Sequence, residues 1–311
     1  MEERSSCKGD ARPKGGSNFQ LGFQPFVLSL MLLPSLLGAF SGCVEKAGER
    51  PRVVKEDSVV LQDNSGTAAG EYNNRGTSKM LQGDPQGAID DFKEAIKRDP
   101  NEPGYYESLG WAQSEAGDYP AALATLHEAI RLSANDAELY WKRGFVKGQL
   151  RDYRGAKTDF TKALAFDPSL GKAYGDRGWV KVMVRDWEGA IADSTEAIKL
   201  APSNPDGYEN RGFARSQLGD FAGAVQDYSE ALKSKQDNPR LYVMRAEAKS
   251  RLSDDQGAID DLDRAIRMKP DYGRAYRLRA EFRGKSGDPS GAKDDLEEAA
   301  RLGDKGRGEK P

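Results

Sequence analysis

Few side chains in this sequence could do covalent or metal chemistry. His127 is the single histidine, and Cys7 and Cys43 are the only cysteines. A metal site needs several such ligands converging on one point, and no Gly-rich phosphate loop follows a strand pattern, so neither a metal nor another cofactor is expected. His127 is expected to face outward as a surface residue. Carboxylates are abundant, 50 Asp plus Glu against 47 Lys plus Arg, but they recur at spacings that mark helix ends and helix faces rather than an acid–base pair. The near balance of charge leaves no basic field for nucleic acid. What keeps chemical character is Cys43 and five large aromatics, Trp111, Trp141, Phe145, Trp179 and Phe213. The expectation is a binding protein and not an enzyme.

Cys43 draws its meaning from what precedes it. Residues 26 to 40 are apolar or small, and Arg4, Lys8, Arg12 and Lys14 stand before them. That is the length of a signal-peptide core and too short, with Pro34 inside, for a comfortable membrane span. The run Phe40-Ser41-Gly42-Cys43 resembles a bacterial lipobox, whose cysteine is lipidated and becomes the mature N-terminus; Phe40 and the acidic Glu2, Glu3 and Asp10 of the leader depart from the usual pattern. Cleavage after Ser41 by an ordinary signal peptidase, or an uncleaved anchor, are the competing readings. Cys7 would be lost with the leader, so the mature chain could form no internal disulfide, and lipidation gives the remaining thiol a use. The reading is a signal peptide over 1–42, a polar flexible tether over 43–68, and a charged tail over 305–311. It places the protein in the bacterial cell envelope, lipid-anchored and facing the periplasm; a soluble periplasmic or secreted form is the alternative.

The elements that carry the aromatics are set by a repeat. Tyr72, Tyr106, Tyr140, Tyr174, Tyr208, Tyr242 and Tyr276 stand 34 residues apart. Counting places from three residues before each Tyr, place 8 is Gly or Ala, places 20 and 27 are Ala in every copy, and place 32 is Pro in four. Aromatic, Gly and Ala at this spacing resemble the tetratricopeptide repeat. The resemblance covers 69–304 as seven units: 69–102, 103–136, 137–170, 171–204, 205–238, 239–272 and 273–304. It implies an all-α solenoid, a right-handed superhelix of helix-turn-helix units whose first helices line a concave groove. A repeat array also accounts for 311 residues without two globular cores.

Local chemistry agrees with two helices per unit. Place 16 is Asp in all seven copies, just ahead of an apolar-periodic run, where its carboxylate can accept from the free amides of the second helix. Pro85 and Pro289 follow at the tolerated first helical position, and Asn204-Pro205 and Asn238-Pro239 show the same sign for first helices. Place 7 carries Arg in six units, place 11 Lys or Arg, and place 23 Asp. The second unit departs at all three places together, with Leu109, Gln113 and Thr125. Joint loss implies mutual contact, so an Arg–Asp bridge between the two helices of a unit is expected, with the place-11 cation nearby.

Places 2, 5, 9, 12 and 13 lie opposite the Tyr sector and would face the groove. Place 9 reads Trp111, Phe145, Trp179 and Phe213 in four consecutive units, and Trp141 at place 5 adds a fifth ring. An apolar stripe rimmed by polar groups marks a binding site, whereas rings buried between units would be filler; the sequence leaves both open. Arg240, Arg251, Arg274, Arg277 and Lys285 give the last two units a basic character against Glu247 and Glu281. Such a groove could hold a protein segment or peptide, apolar side chains on the rings and an acidic group on the arginines. A small ligand or glycan stacking on the indoles is the rival. The chaperone receptors of the family use Lys and Asn at places 5 and 9 of the first unit; Asn73 and Thr77 stand there, so that activity is not implied.

Overall fold

The computed structural model describes residues 67–303. Cys43, the leader, nearly all of the tether and the charged tail lie outside them. Fourteen α-helices and no strand make up the described residues: α1 Ala68–Leu81, α2 Pro85–Arg98, α3 Pro103–Glu115, α4 Tyr119–Leu132, α5 Ala137–Gln149, α6 Tyr153–Phe166, α7 Gly171–Met183, α8 Trp187–Leu200, α9 Pro205–Gln217, α10 Phe221–Ser234, α11 Pro239–Arg251, α12 Asp255–Met268, α13 Gly273–Lys285 and α14 Pro289–Arg301. Each unit is an antiparallel pair, and each second helix packs on the first helix of the next unit. This is the expected α-solenoid. None of the described helices is long and apolar enough to cross a membrane.

The boundaries follow from capping. In all seven units the place-16 Asp accepts from the amide three residues on, as in Asp84 from Gly87 at 2.8 Å and Asp220 from Gly223 at 2.9 Å. First helices are capped less uniformly. Asn204 and Asn238 act as expected, Thr67, Glu102 and Asp136 do the same work, and Leu170 and Tyr272 provide no side-chain cap. The turn between the helices of a unit passes through a left-handed residue at place 15. Gly83, Gly117, Gly219 and Gly287 fill it at no steric cost, but Arg151, Arg185 and Ser253 are held there too, at φ of 61°, 62° and 64°.

Within a unit the helices meet through a small-against-large pair. A Cβ on Gly76 would lie 2.7 Å from the Phe92 ring, and one on Gly144 2.8 Å from Phe160, so the glycine lets an aromatic of the second helix lie on the backbone of the first. The alanines at places 20 and 27 are almost all fully buried. The fourth unit breaks the pattern with buried Ser194 where the others carry Phe, Leu or Tyr. The next first helix comes in close beside it. A Cβ on Gly207 would fall 2.9 Å from Ile198 Cγ1, and the Asn210 amide donates to the Gly175 carbonyl at 3.3 Å.

Candidate functional site

The inferred Arg–Asp bridge is present in all six units that have the residues, and it is more than a pair. In the third unit Arg143 Nε and Nη2 donate to the two carboxylate oxygens of Asp159 at 2.9 and 2.8 Å, while Lys147 Nζ lies 2.7 Å from Oδ2. Asp193, Asp227, Asp261 and Asp295 are held the same way by Arg177, Arg211, Arg245 and Arg279. The guanidinium also lies over the Tyr ring of its own unit, 5.4 Å from centroid in Arg143 over Tyr140 and 5.5 Å in Arg245 over Tyr242. Its free edge reaches back to place 25 of the preceding unit: Arg177 Nη1 to Thr161, Arg211 to Thr195, Arg245 to Ser229 and Arg279 to Asp263.

These aspartates are nearly fully buried, so a charge there is tolerable only with its partners. Hydrogen bonding from Arg75 holds the Asp91 carboxyl below the usual aspartate range. The Arg143 and Arg177 guanidinia are raised by the bonds to their aspartates against the opposing effect of burial. The second unit replaces the device with a neutral one. Thr125 Oγ1 donates to Gln113 Oε1 at 2.7 Å, and Leu109 is buried against Ala88, Ile89 and Phe92.

Three of the five groove aromatics form one cluster across the second and third units. Trp111 on α3 lies 5.8 Å from Trp141 and 5.6 Å from Phe145, both on α5, and those two rings are 6.1 Å apart. All three are half-buried. The indole of Trp141 donates to Asp176 Oδ2 at 2.8 Å, and the Lys172 ammonium sits 4.0 Å above its ring. Trp179 is half-buried, edge-on to Tyr153 at 5.7 Å. Phe213 is buried, edge-on to Trp187 at 5.9 Å. The stripe is thus neither a free ladder of rings nor wholly internal: it packs between units at Phe213 and leaves ring surface open at Trp111, Trp141, Phe145 and Trp179.

Tyr153 and Trp187 belong to a second aromatic series, outside the groove-facing places expected from the sequence. Place 17, the first residue of the second helix, carries Tyr119, Tyr153, Trp187 and Phe221 in the same four units as the stripe. The signal was the same 34-residue spacing.

The charges of this face pair from one first helix to the next. Glu107 meets Lys142, Glu138 meets Lys172, Glu209 meets Arg240, and Glu247 meets Arg274 at 2.7 Å. Of the basic residues expected to bind an acid, Arg240 and Arg274 are therefore engaged with neighbouring units. Arg277 is half-buried and also engaged. Arg251 is exposed, 4.5 Å above the Phe221 ring, and Lys285 pairs with Glu281 at 2.8 Å. His127 is exposed, with Nδ1 3.5 Å from Arg143 Nη1. No group of metal-ligating residues occurs among the described residues.

Comparison with known proteins points one way. Tetratricopeptide repeat family models match residues 73–137, 137–170 and 176–239, about half of the chain. Among curated proteins none matches. Solved structures share the fold at low identity. A tetratricopeptide repeat protein from Parabacteroides merdae is 17% identical with a TM-score of 0.56, over 76% of this chain and 93% of that one. PilW, described as a widely conserved type IV pilus biogenesis factor, is 16% identical with a TM-score of 0.60, over 67% and 96%. YrrB, described as having an unusual peptide-binding site, is 21% identical with a TM-score of 0.52, over 59% and 95%. Repeat period, helix pairing and family match together show that the chain belongs to the tetratricopeptide repeat family, whose members are generally protein-interaction scaffolds.

Proposed function

We propose that the protein is a non-enzymatic adaptor that holds a partner protein or peptide against the face of its first helices, centred on Trp111, Trp141 and Phe145. The observation that carries this reading is the half-buried three-ring cluster with its rim of Glu107, Lys142, Glu138, Lys172 and Asp176. Aromatic anchors inside a ring of paired charges are the arrangement of an interaction hot spot. The family and the peptide-binding description of YrrB favour a protein ligand. So does the tilt of 32° between the two indoles, with Lys172 over one of them, since a stacked sugar requires an open, flat ring face.

The same proposal includes a lipid on Cys43 that tethers the scaffold to a bacterial envelope membrane; its support is the lipobox-like Phe40 to Cys43 sequence after an apolar leader core. Two variants test the two halves. Trp111→Ala should lose partners in crosslinked pull-down while far-ultraviolet circular dichroism keeps its helical signal; an unchanged set of captured partners would refute the binding face. Cys43→Ala should move the protein out of the membrane fraction, and unaltered fractionation would refute lipid tethering.

A further inference from the structure

The second unit's missing clasp leaves a groove on the Tyr side of the array, away from the first-helix face. In the third to seventh units the place-7 guanidinium fills the angle between its own second helix and the second helix of the preceding unit. Leu109 is too short to do so. Between α2, α3 and α4 there is consequently an open cavity of about 310 Å³ whose floor and walls are Ile96, Leu109, Ala124 and Thr125, with Tyr106 along one side. The Thr125 hydroxyl is already donated to Gln113, so the wall it presents is largely its methyl.

The rim decides what would fit. Glu128 is neutralised by Arg131 at 2.7 Å. Lys93 stands at place 25 of the first unit, where Thr161, Thr195, Ser229 and Asp263 receive an arginine in later units; it is exposed and has no ion-pair partner among the described residues. The groove is therefore apolar below and carries one unspent positive charge above. A cationic ligand is disfavoured by Lys93, and by the loss of the aspartate that holds the guanidinium elsewhere.

We infer that this groove is a second docking site, independent of the first-helix face, for a peptide segment of a partner protein that inserts one apolar side chain onto Leu109 and Ile96 and sets an adjacent carboxylate against Lys93. The volume accommodates a ring or a leucine side chain. The charge selects an acidic neighbour.

The array supplies its own control, since Leu109→Arg with Gln113→Lys and Thr125→Asp rebuilds the clasp found in the other six units and fills the groove. Three peptides serve as probes on the full chain: acetyl-Gly-Phe-Glu-Gly-amide, its Lys counterpart in place of Glu, and its Ala counterpart in place of Phe. Methyl NMR of Ile96 and Leu109 reads occupancy. The Phe-Glu peptide should shift both methyl sets and bind at least about threefold more tightly than the Phe-Lys peptide, as one partly exposed charge pair allows. Lys93→Glu should reverse that order, and in the rebuilt clasp, where Ile96 is the remaining reporter, its methyl shifts should be abolished. The inference is overturned if neither methyl set responds, if the three peptides are equivalent, or if the response survives in the rebuilt variant. Should the triple variant fail to fold, the Lys93→Glu reversal alone decides.

Discussion

Removing one partner of a buried charge cluster and removing the whole cluster have opposite consequences, and this chain allows both to be measured in one place. Asp159 is 1% exposed and takes two hydrogen bonds from Arg143 and an ion pair from Lys147. In Asp159→Ala, two largely buried cations lose the one anion that pairs with them among the described residues. Breaking a buried pair in this way costs roughly 3 to 5 kcal/mol. Lys147 can swing to water, since its side chain is 22% exposed, so the lower end, about 3 kcal/mol, is expected. The combined change Arg143→Leu, Lys147→Gln and Asp159→Thr copies the second unit, in which the Thr and Gln side chains satisfy each other at 2.7 Å. Its cost should be within about 1 kcal/mol, because a buried ionic cluster replaced by apolar and mutually bonded neutral groups is often near neutral.

A global melting curve is a poor assay, since the stability of a repeat array is a sum over units and their interfaces. Hydrogen exchange at α5 and α6 amides reads the affected unit directly. The single variant should lower protection there about a hundredfold, the equivalent of nearly 3 kcal/mol, and the triple variant by less than about tenfold. Loss of protection in the triple variant equal to that in the single one would show that the cluster is a net source of stability. A single variant indistinguishable from the parent would show that Asp159 is not the buried anion described above.

The other expectations concern local geometry and pH. Asp220→Ala removes the acceptor for the Gly223 amide and should cost about 1 kcal/mol in the stability of α10, measured by hydrogen exchange. Arg185→Gly relieves a left-handed residue at φ 62°; the relief of roughly 1 to 2 kcal/mol is partly offset by the greater freedom of glycine in the unfolded chain, so a gain of a few tenths to about 1 kcal/mol is expected, and any loss would contradict the strain argument. Gly207→Ala sets a methyl 2.9 Å from Ile198 Cγ1 and should cost about 1 to 3 kcal/mol by forcing α9 off α8, visible as reduced protection at that junction alone. The hydrogen bond from Arg75 holds the Asp91 carboxyl below the ordinary aspartate range. A carboxyl lowered by folding contributes stability above its unfolded value and loses it as pH falls through the folded one. Protection of α1 and α2 should therefore decline as the pH falls below the ordinary aspartate range, and in Asp91→Asn this part of the acid dependence should vanish.

The period and everything locked to it were legible without coordinates. A cap or a clasp depends on residues within one unit, where chain connectivity fixes the geometry, and seven copies expose the rule and its exception together. Leu109, Gln113 and Thr125 changed in concert because they touch the same two helices, and the structure places them in contact or next to it. Pairing between units was not legible in this way. The bonds of Glu209 to Arg240 and Glu247 to Arg274 span 31 and 27 residues, those of Glu107 to Lys142 and Glu138 to Lys172 span 35 and 34. No single spacing describes them, because they depend on the angle between successive first helices. Reading Arg240 and Arg274 as waiting for an acidic ligand therefore overlooked glutamates one unit earlier. The burial of Phe213 beside Trp187 has the same origin, since it is set by how closely α9 approaches α8, and that approach depends on small residues at Ser194 and Gly207.

The clasp itself connects these two levels. A cluster of buried charges returns little net stability once desolvation is counted, so its repetition is hard to explain by energy alone. Its geometry is restrictive. Each guanidinium is fixed by a two-point bond to its own Asp and a stacking contact with its own Tyr, and it then spends its remaining edge on place 25 of the unit before. A planar group bound on three sides leaves little freedom in how successive units turn relative to one another. The first unit shows the dependence. Arg75 has no described unit before it, and its side chain is 58% exposed, against 14% for Arg143 and 16% for Arg177. The second unit shows the converse: without an arginine at Leu109, the junction of α2 with α3 and α4 stays open. The array is thus held in register wherever the clasp spans two units, and the one junction among the described units that lacks it opens into a cavity.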